Sequence, residues 1–169
     1  SSATNDPNLI IGGSQDNGTN RWKNGQWSQI NGGDGMKCLI DPVNANTMYA
    51  STPNGYFQKS SNGGTSFSGL VSPQTTLEGG AWVAPLAVDP TKPTVLYAGF
   101  SNVWKFEPST NKWSKSSTFT GIGTLTYIVV SSDGKTIYAG NQNGMYRSKT
   151  GATTWERLTL SGVPGGNIT

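Results

Sequence analysis

Short sequence columns recur along this chain at a spacing near 40 residues, and that period constrains its fold more than any other feature. Ile11-Gly12-Gly13, Tyr49-Ala50-Ser51, Tyr97-Ala98-Gly99 and Tyr138-Ala139-Gly140 follow one another at steps of 38, 48 and 41 residues. An aromatic residue closes each unit, Trp27, Phe67, Trp113 and Trp155, at steps of 40, 46 and 42. Two of the tyrosine columns are preceded by Leu39-Ile40-Asp41-Pro42 and Ala87-Val88-Asp89-Pro90, with Val129-Val130-Ser131-Ser132 as a degenerate third copy. A repeat of this length is one supersecondary unit that buries its apolar face only by stacking on its neighbours.

The turn residues cut each unit into short strands. In the second unit these are Lys37 to Ile40, Thr47 to Ser51, Tyr56 to Ser60 and Ser66 to Leu70, separated by Asp-Pro-Val-Asn, Thr-Pro-Asn-Gly and Ser-Asn-Gly-Gly. The third unit gives Trp82 to Val88, Val95 to Gly99, Val103 to Phe106 and Lys112 to Lys115, and the fourth Leu125 to Val130, Thr136 to Ala139, Met145 to Ser148 and Thr154 to Leu158. The first keeps Asn8 to Gly12, Thr19 to Trp22 and Gln26 to Ile30. Along the third strands, alternation puts Phe57, Trp104 and Tyr146 in one column and Arg21, Gln58, Lys105 and Arg147 in the next. Helices have little room, because 23 glycines and 9 prolines are spread through 169 residues. The expected fold is all-β, with β-propeller blades of four antiparallel strands in units of about 1–35, 36–80, 81–121 and 122–169. The four aromatics closing the units are expected in equivalent buried positions.

The run Ser60-Ser61-Asn62-Gly63-Gly64-Thr65-Ser66-Phe67 resembles the Asp-box, S-x-D-x-G-x-[ST]-[WF], with Asn for Asp. Ser148-Lys149-Thr150-Gly151-Ala152-Thr153-Thr154-Trp155 is similar, with Thr at the acidic position and Ala at the second glycine. With the Asp-Pro entry to the tyrosine strands, these runs resemble the BNR/Asp-box propellers, a superfamily that includes sialidases, sortilin-type domains and xyloglucan-degrading enzymes. The Gln15-Asp16-Asn17-Gly18 loop is most similar to a loop of uncharacterised secreted bacterial propellers. The resemblance implies an extracellular or cell-surface setting and a ring of more blades than this chain supplies. Gly165 to Thr169 read as the start of an innermost strand and Ser1 to Asn5 as the end of one, so the rest of a longer propeller, or another copy of the chain, is an expected partner.

Composition excludes several chemistries. Histidine is absent and Cys38 is alone, which removes His-dependent nucleophilic catalysis within this chain and the usual zinc sites. A net charge of +3 without a basic cluster gives no argument for nucleic acid. No apolar run reaches the roughly 18 to 20 residues of a membrane span. Three arginines in ordinary strand positions do not make the arginine triad that a sialidase would need.

The candidate chemistry lies in Gly12-Gly13-Ser14-Gln15-Asp16-Asn17-Gly18 and in Gly32-Gly33-Asp34-Gly35. Asp16 falls between two strands of its blade and Asp34 enters the innermost strand of the next, so the two carboxylates are expected to converge. They read as turn-shaping residues, as ligands of a hard cation such as calcium, or as a glycoside-cleaving pair matching the catalytic loop of the xyloglucan-degrading propellers. Turn chemistry is the preferred reading, with no cofactor required. Trp82 and Trp104 lie off the closing-aromatic column and are the candidate ligand-stacking surface. The functional expectation is a non-catalytic binding or structural propeller that meets a protein or glycan at the cell surface. The alternatives are a glycoside hydrolase domain and a lectin-like module.

Overall fold

A computed structural model describes residues 1–4 and 6–159, and over them the chain forms four antiparallel sheets in chain order. The first sheet holds β1 (Ile10–Ser14), β2 (Gly18–Lys23) and β3 (Gln26–Asn31). The second holds β4 (Cys38–Ile40), β5 (Met48–Thr52), β6 (Tyr56–Ser60) and β7 (Ser68–Val71). The third runs β8 (Leu86–Asp89), β9 (Lys92–Gly99), β10 (Val103–Glu107) and β11 (Lys112–Lys115). The fourth is β12 (Tyr127–Val130), β13 (Ile137–Asn141), β14 (Gly144–Ser148) and β15 (Glu156–Arg157). These are propeller blades. One turn of α-helix, α1 (Pro73–Thr76), follows β7. Among the described residues, no helix is long and apolar enough to cross a membrane.

The blades fall into two compact units, Ser1–Leu77 with Trp82–Ala84, and Glu78–Ala81 with the described residues from Pro85 onward. The core of the first gathers Leu9, Ile11, Cys38, Ile40 and Met48, with Ile30 and Phe67 packed against it. The core of the second gathers Val95, Tyr97, Val103, Leu125, Ile128, Ile137 and Ala139. The first sheet has a partial fourth row: Ser2 bridges Ile10, the Ser1 ammonium donates to the Ile11 carbonyl at 2.8 Å, and Ala3 N–H donates to the Leu9 carbonyl at 3.0 Å. The strand expected at 165–169 lies outside the described residues.

The recurring columns are cross-strand pairs. Ala50, Ala98 and Ala139 are fully buried and stand opposite Gln58, Trp104 and Tyr146, so a small residue makes room for a large neighbour. Asp41 and Asp89 shape the turn after the first strand of their blades. Asp41 Oδ1 accepts from the N–H groups of Val43 (2.8 Å) and Asn44 (3.0 Å). Asp89 Oδ1 accepts from the N–H groups of Thr91 (2.8 Å) and Lys92 (3.2 Å). In the degenerate copy Ser131 Oγ accepts from Thr136 N–H at 2.9 Å. Burial, with Asp41 beside Tyr49 and with Asp89 and Glu107 beside Tyr97, pushes both phenols up to about 12 and keeps them neutral.

Three expectations are corrected. Phe57 pairs with Ser51, as Val103 pairs with Gly99, so it does not share a column with Trp104 and Tyr146; Gln58 does, and Lys59 joins Arg21, Lys105 and Arg147. The closing aromatics are not equally buried: Phe67, Trp113 and Trp155 are half-buried, whereas Trp27 is 59% exposed. Trp82 lies before β8, which begins only at Leu86, because Trp82 and Val83 form an exposed turn instead of strand.

Candidate functional site

The two candidate carboxylate loops meet in the first unit. Gly35 N–H donates to the Ser14 carbonyl at 3.1 Å, and a Cβ on Gly35 would stand 2.1 Å from the Gly18 carbonyl oxygen. A Cβ on Gly13 would likewise meet the Met36 carbonyl oxygen at 2.1 Å. The two loops therefore touch backbone to backbone, which only residues without a side chain permit. That approach brings Asp34 Oδ1 to 2.9 Å from the backbone N–H of Asp16, which it accepts. Asp16 occupies the left-handed region at φ 65°, within a turn closed by Asn17 N–H on the Ser14 carbonyl at 3.2 Å. Asp34 thus supplies an acceptor to a backbone donor that the turn leaves pointing outward. Among the described residues no group of three or more His, Cys, Asp or Glu side chains could hold a metal ion. Trp82, of the same unit, is 52% exposed, and its carbonyl accepts from Asn54 N–H at 3.2 Å.

In the second unit the other candidate, Trp104, is half-buried and donates its indole N–H to Glu78 Oε2 at 3.2 Å. Glu78 is the polar centre of this region, and the sequence reading missed it. Its carboxylate also accepts from Asn102 N–H at 2.9 Å, from Asn102 Nδ2 at 3.0 Å and from Lys115 Nζ at 2.9 Å, and its side chain is 12% exposed. Burial opposes its ionisation, but the bonds from Lys115, Trp104 and Asn102, with the Lys115 charge, outweigh burial and hold the carboxyl below the ordinary glutamate range. A carboxylate so held is no proton donor near neutral pH. Its signal in sequence was only one acid before Gly79-Gly80, since its donors lie 24 or more residues downstream.

Two of the clefts among the described residues of the same unit are relevant to ligand binding. One, of about 420 Å³, is lined by Asp89, Lys92, Lys105, Glu107, Asp133 and Lys135 together with the Thr150-Gly151 turn. Two of its acids serve the backbone: Asp89 caps its turn, and Asp133 Oδ1 accepts from Lys135 N–H at 3.0 Å, while Glu107 Oε1 accepts from the Ser109 hydroxyl at 3.4 Å. The other, of about 640 Å³, lies among Ser116, Thr118, Phe119, Tyr146, Thr153 and Trp155. There Phe119 stacks on Tyr146 with ring centroids 3.9 Å apart and meets Trp155 edge-on at 5.2 Å. Trp155 is fixed by its indole N–H, which donates to the Ser116 carbonyl at 2.8 Å.

No family model matches the chain, and no curated protein matches it in sequence. Its likeness is to solved structures. An ancestral GH74 enzyme superposes with a TM-score of 0.75 at 18% identity, over 95% of this chain and 23% of that one. A GH74 xyloglucanase from Xanthomonas campestris gives 0.71 at 16% identity, over 96% of this chain and 30% of that one. An auxiliary nutrient binding protein from Bacteroides thetaiotaomicron gives 0.65 at 15% identity, over 88% of this chain and 37% of that one. These likenesses establish the fold, and the chain spans about a quarter to a third of the length of the structures it matches.

Proposed function

We propose that the chain is part of an extracellular or cell-surface β-propeller of the BNR/Asp-box type that binds glycan without cleaving it. The observation that carries its non-catalytic part is the hydrogen bond that the Asp16 backbone N–H donates to Asp34 Oδ1 at 2.9 Å. It supports reading Asp34 as a loop-shaping residue, since its carboxylate is engaged by the backbone of the neighbouring turn. The turns support the Asp-box reading. Ser60 Oγ accepts from Gly64 N–H at 2.9 Å and Asn62 Oδ1 from Ser66 N–H at 3.0 Å, while Ser148 Oγ accepts from Ala152 N–H at 3.0 Å and Thr150 Oγ1 from Thr154 N–H at 2.8 Å. Glycan as the ligand is supported by likeness to a xyloglucanase and to a nutrient binding protein. The blades are read as belonging to a larger ring because this chain covers only 23% of the ancestral GH74 enzyme, 30% of the xyloglucanase and 37% of the nutrient binding protein. Trp82, exposed beside the Asn54 turn, is a contact to probe first.

The second reading, glycoside hydrolysis, has in its favour the convergence of Asp16 and Asp34. A glycan array run beside a hydrolysis screen on plant and bacterial polysaccharides separates the two. Binding without release of reducing ends, unchanged by Asp16→Ala, is the expected result. Cleavage that falls about a thousandfold in Asp16→Ala with folding intact overturns it.

A further inference from the structure

From the cleft of the second unit we infer a binding subsite for one segment of an uncharged saccharide chain, formed by Phe119, Tyr146 and Trp155 with Ser116, Thr118 and Thr153 at its polar side. The inference rests on the glycan-binding reading and locates it. Internal repetition supplies the comparison. Tyr146 stands opposite Ala139 and Arg157, as Gln58 stands opposite Ala50 and Gly69. In the second sheet that position is an amide paired with another, since Asn31 Nδ2 donates to Gln58 Oε1 at 2.6 Å. In the fourth sheet it is an aromatic ring stacked on Phe119 beside a cleft of about 640 Å³, within the range of small-molecule sites.

The lining selects the ligand class. Its one charged residue, Lys115, is ion-paired with Glu78 at 2.9 Å, and no carboxylate lines the cleft, so neither an anion nor a cation finds an unpaired partner there. Arg157, 6.0 Å from the Tyr146 ring centroid, is not part of the lining. Ser116 Oγ donates to the Val103 carbonyl at 3.1 Å and Thr153 Oγ1 to the Thr150 carbonyl at 2.9 Å, which leaves their oxygen lone pairs to accept from ligand hydroxyls. The three rings pack as one cluster, Phe119 parallel to Tyr146 and perpendicular to Trp155, and give the cleft an aromatic wall for ligand C–H groups to pack against. A pyranose carries both features, C–H groups on its faces and hydroxyls at its rim.

The test uses the 169-residue chain with xyloglucan and cellulose oligosaccharides, followed by calorimetry and by the amide and indole N–H resonances. The expected result is binding that shifts the Trp155 indole N–H and the Thr118 and Thr153 amides. Tyr146→Gln, which installs the residue the first unit accepts at this register, should weaken binding about tenfold or more, the scale of one lost aromatic contact. Thr118→Arg, at an exposed position that leaves the core untouched, blocks the cleft and should do the same if Tyr146→Gln proves unstable. Binding that shifts only resonances around Trp82 or the Asp16 loop, with both variants unimpaired, overturns the subsite and leaves the glycan reading standing. No binding to any glycan of an array by the folded chain overturns both.

Discussion

Gly35 governs how Asp34 is held. Its missing Cβ would lie 2.1 Å from the Gly18 carbonyl oxygen and 2.9 Å from Ser14 N, so any side chain forces the Gly32–Gly35 loop away from the β1–β2 turn. Gly35→Ala is expected to lower the stability of the first unit by about 1 to 3 kcal/mol, the usual cost of overpacking, read as a lower urea midpoint. The Asp16 N–H would then lose its partner, visible as faster amide exchange at that residue. Glu78 makes the matching case in the second unit. Its carboxyl ionises more readily folded than unfolded, so its stabilisation is present above the ordinary glutamate value of 4.5 and is lost as pH falls through the lower folded value. Glu78→Gln should flatten that acid limb. An identical pH profile in wild type and variant would show that the four bonds leave the carboxyl unperturbed.

The two long polar turns show how much substitution a hairpin of this kind absorbs. Ser60 and Ser148 are buried and act alike, each taking two backbone N–H groups into one hydroxyl oxygen: Asn62 at 3.3 Å and Gly64 at 2.9 Å, Thr150 at 3.2 Å and Ala152 at 3.0 Å. Thr replaces Asn at the next position and still accepts from the residue four places on. Ser60→Ala or Ser148→Ala strands two inward donors and should each cost about 1 to 3 kcal/mol, measured by chemical unfolding. A cost under about half a kcal/mol would mean that water replaces the hydroxyl. Such turns, like the Asp41 and Asp89 caps, were legible in the sequence because every partner lies within five residues. So was the near approach of Asp16 and Asp34, which follows from blade order. The third-strand register was not legible, because Tyr49 pairs ten residues on with Lys59, whereas Tyr97 pairs eight on with Lys105, and the intervening turn length carries no local mark of its effect. The Glu78 cluster and the Phe119–Tyr146 stack were hidden for the same reason, their partners being distant in sequence.

Each half of the chain has its own core, so damage to one half should be independent of damage to the other. Gly35→Ala acts through the β1–β2 turn and Ser148→Ala through the β14–β15 turn, and they share no partner. The double variant is expected to lose the sum of the two single losses within about 0.5 kcal/mol; a larger interaction energy in the double-mutant cycle would reveal coupling between the halves. The chain also carries a clock for one half alone. Cys38, its single thiol, is 7% exposed in the first core, with Sγ 3.9 Å from Thr19 Oγ1. Burial pushes that thiol up, against the opposing Thr19 bond and the Ser1 and Lys37 charges, so the native protein presents little thiolate. Modification by a thiol reagent must wait for the first unit to open, and the second unit, lacking cysteine, is silent. Labelling rate therefore counts openings of the first half: it should rise in Gly35→Ala and stay at the wild-type value in Ser148→Ala.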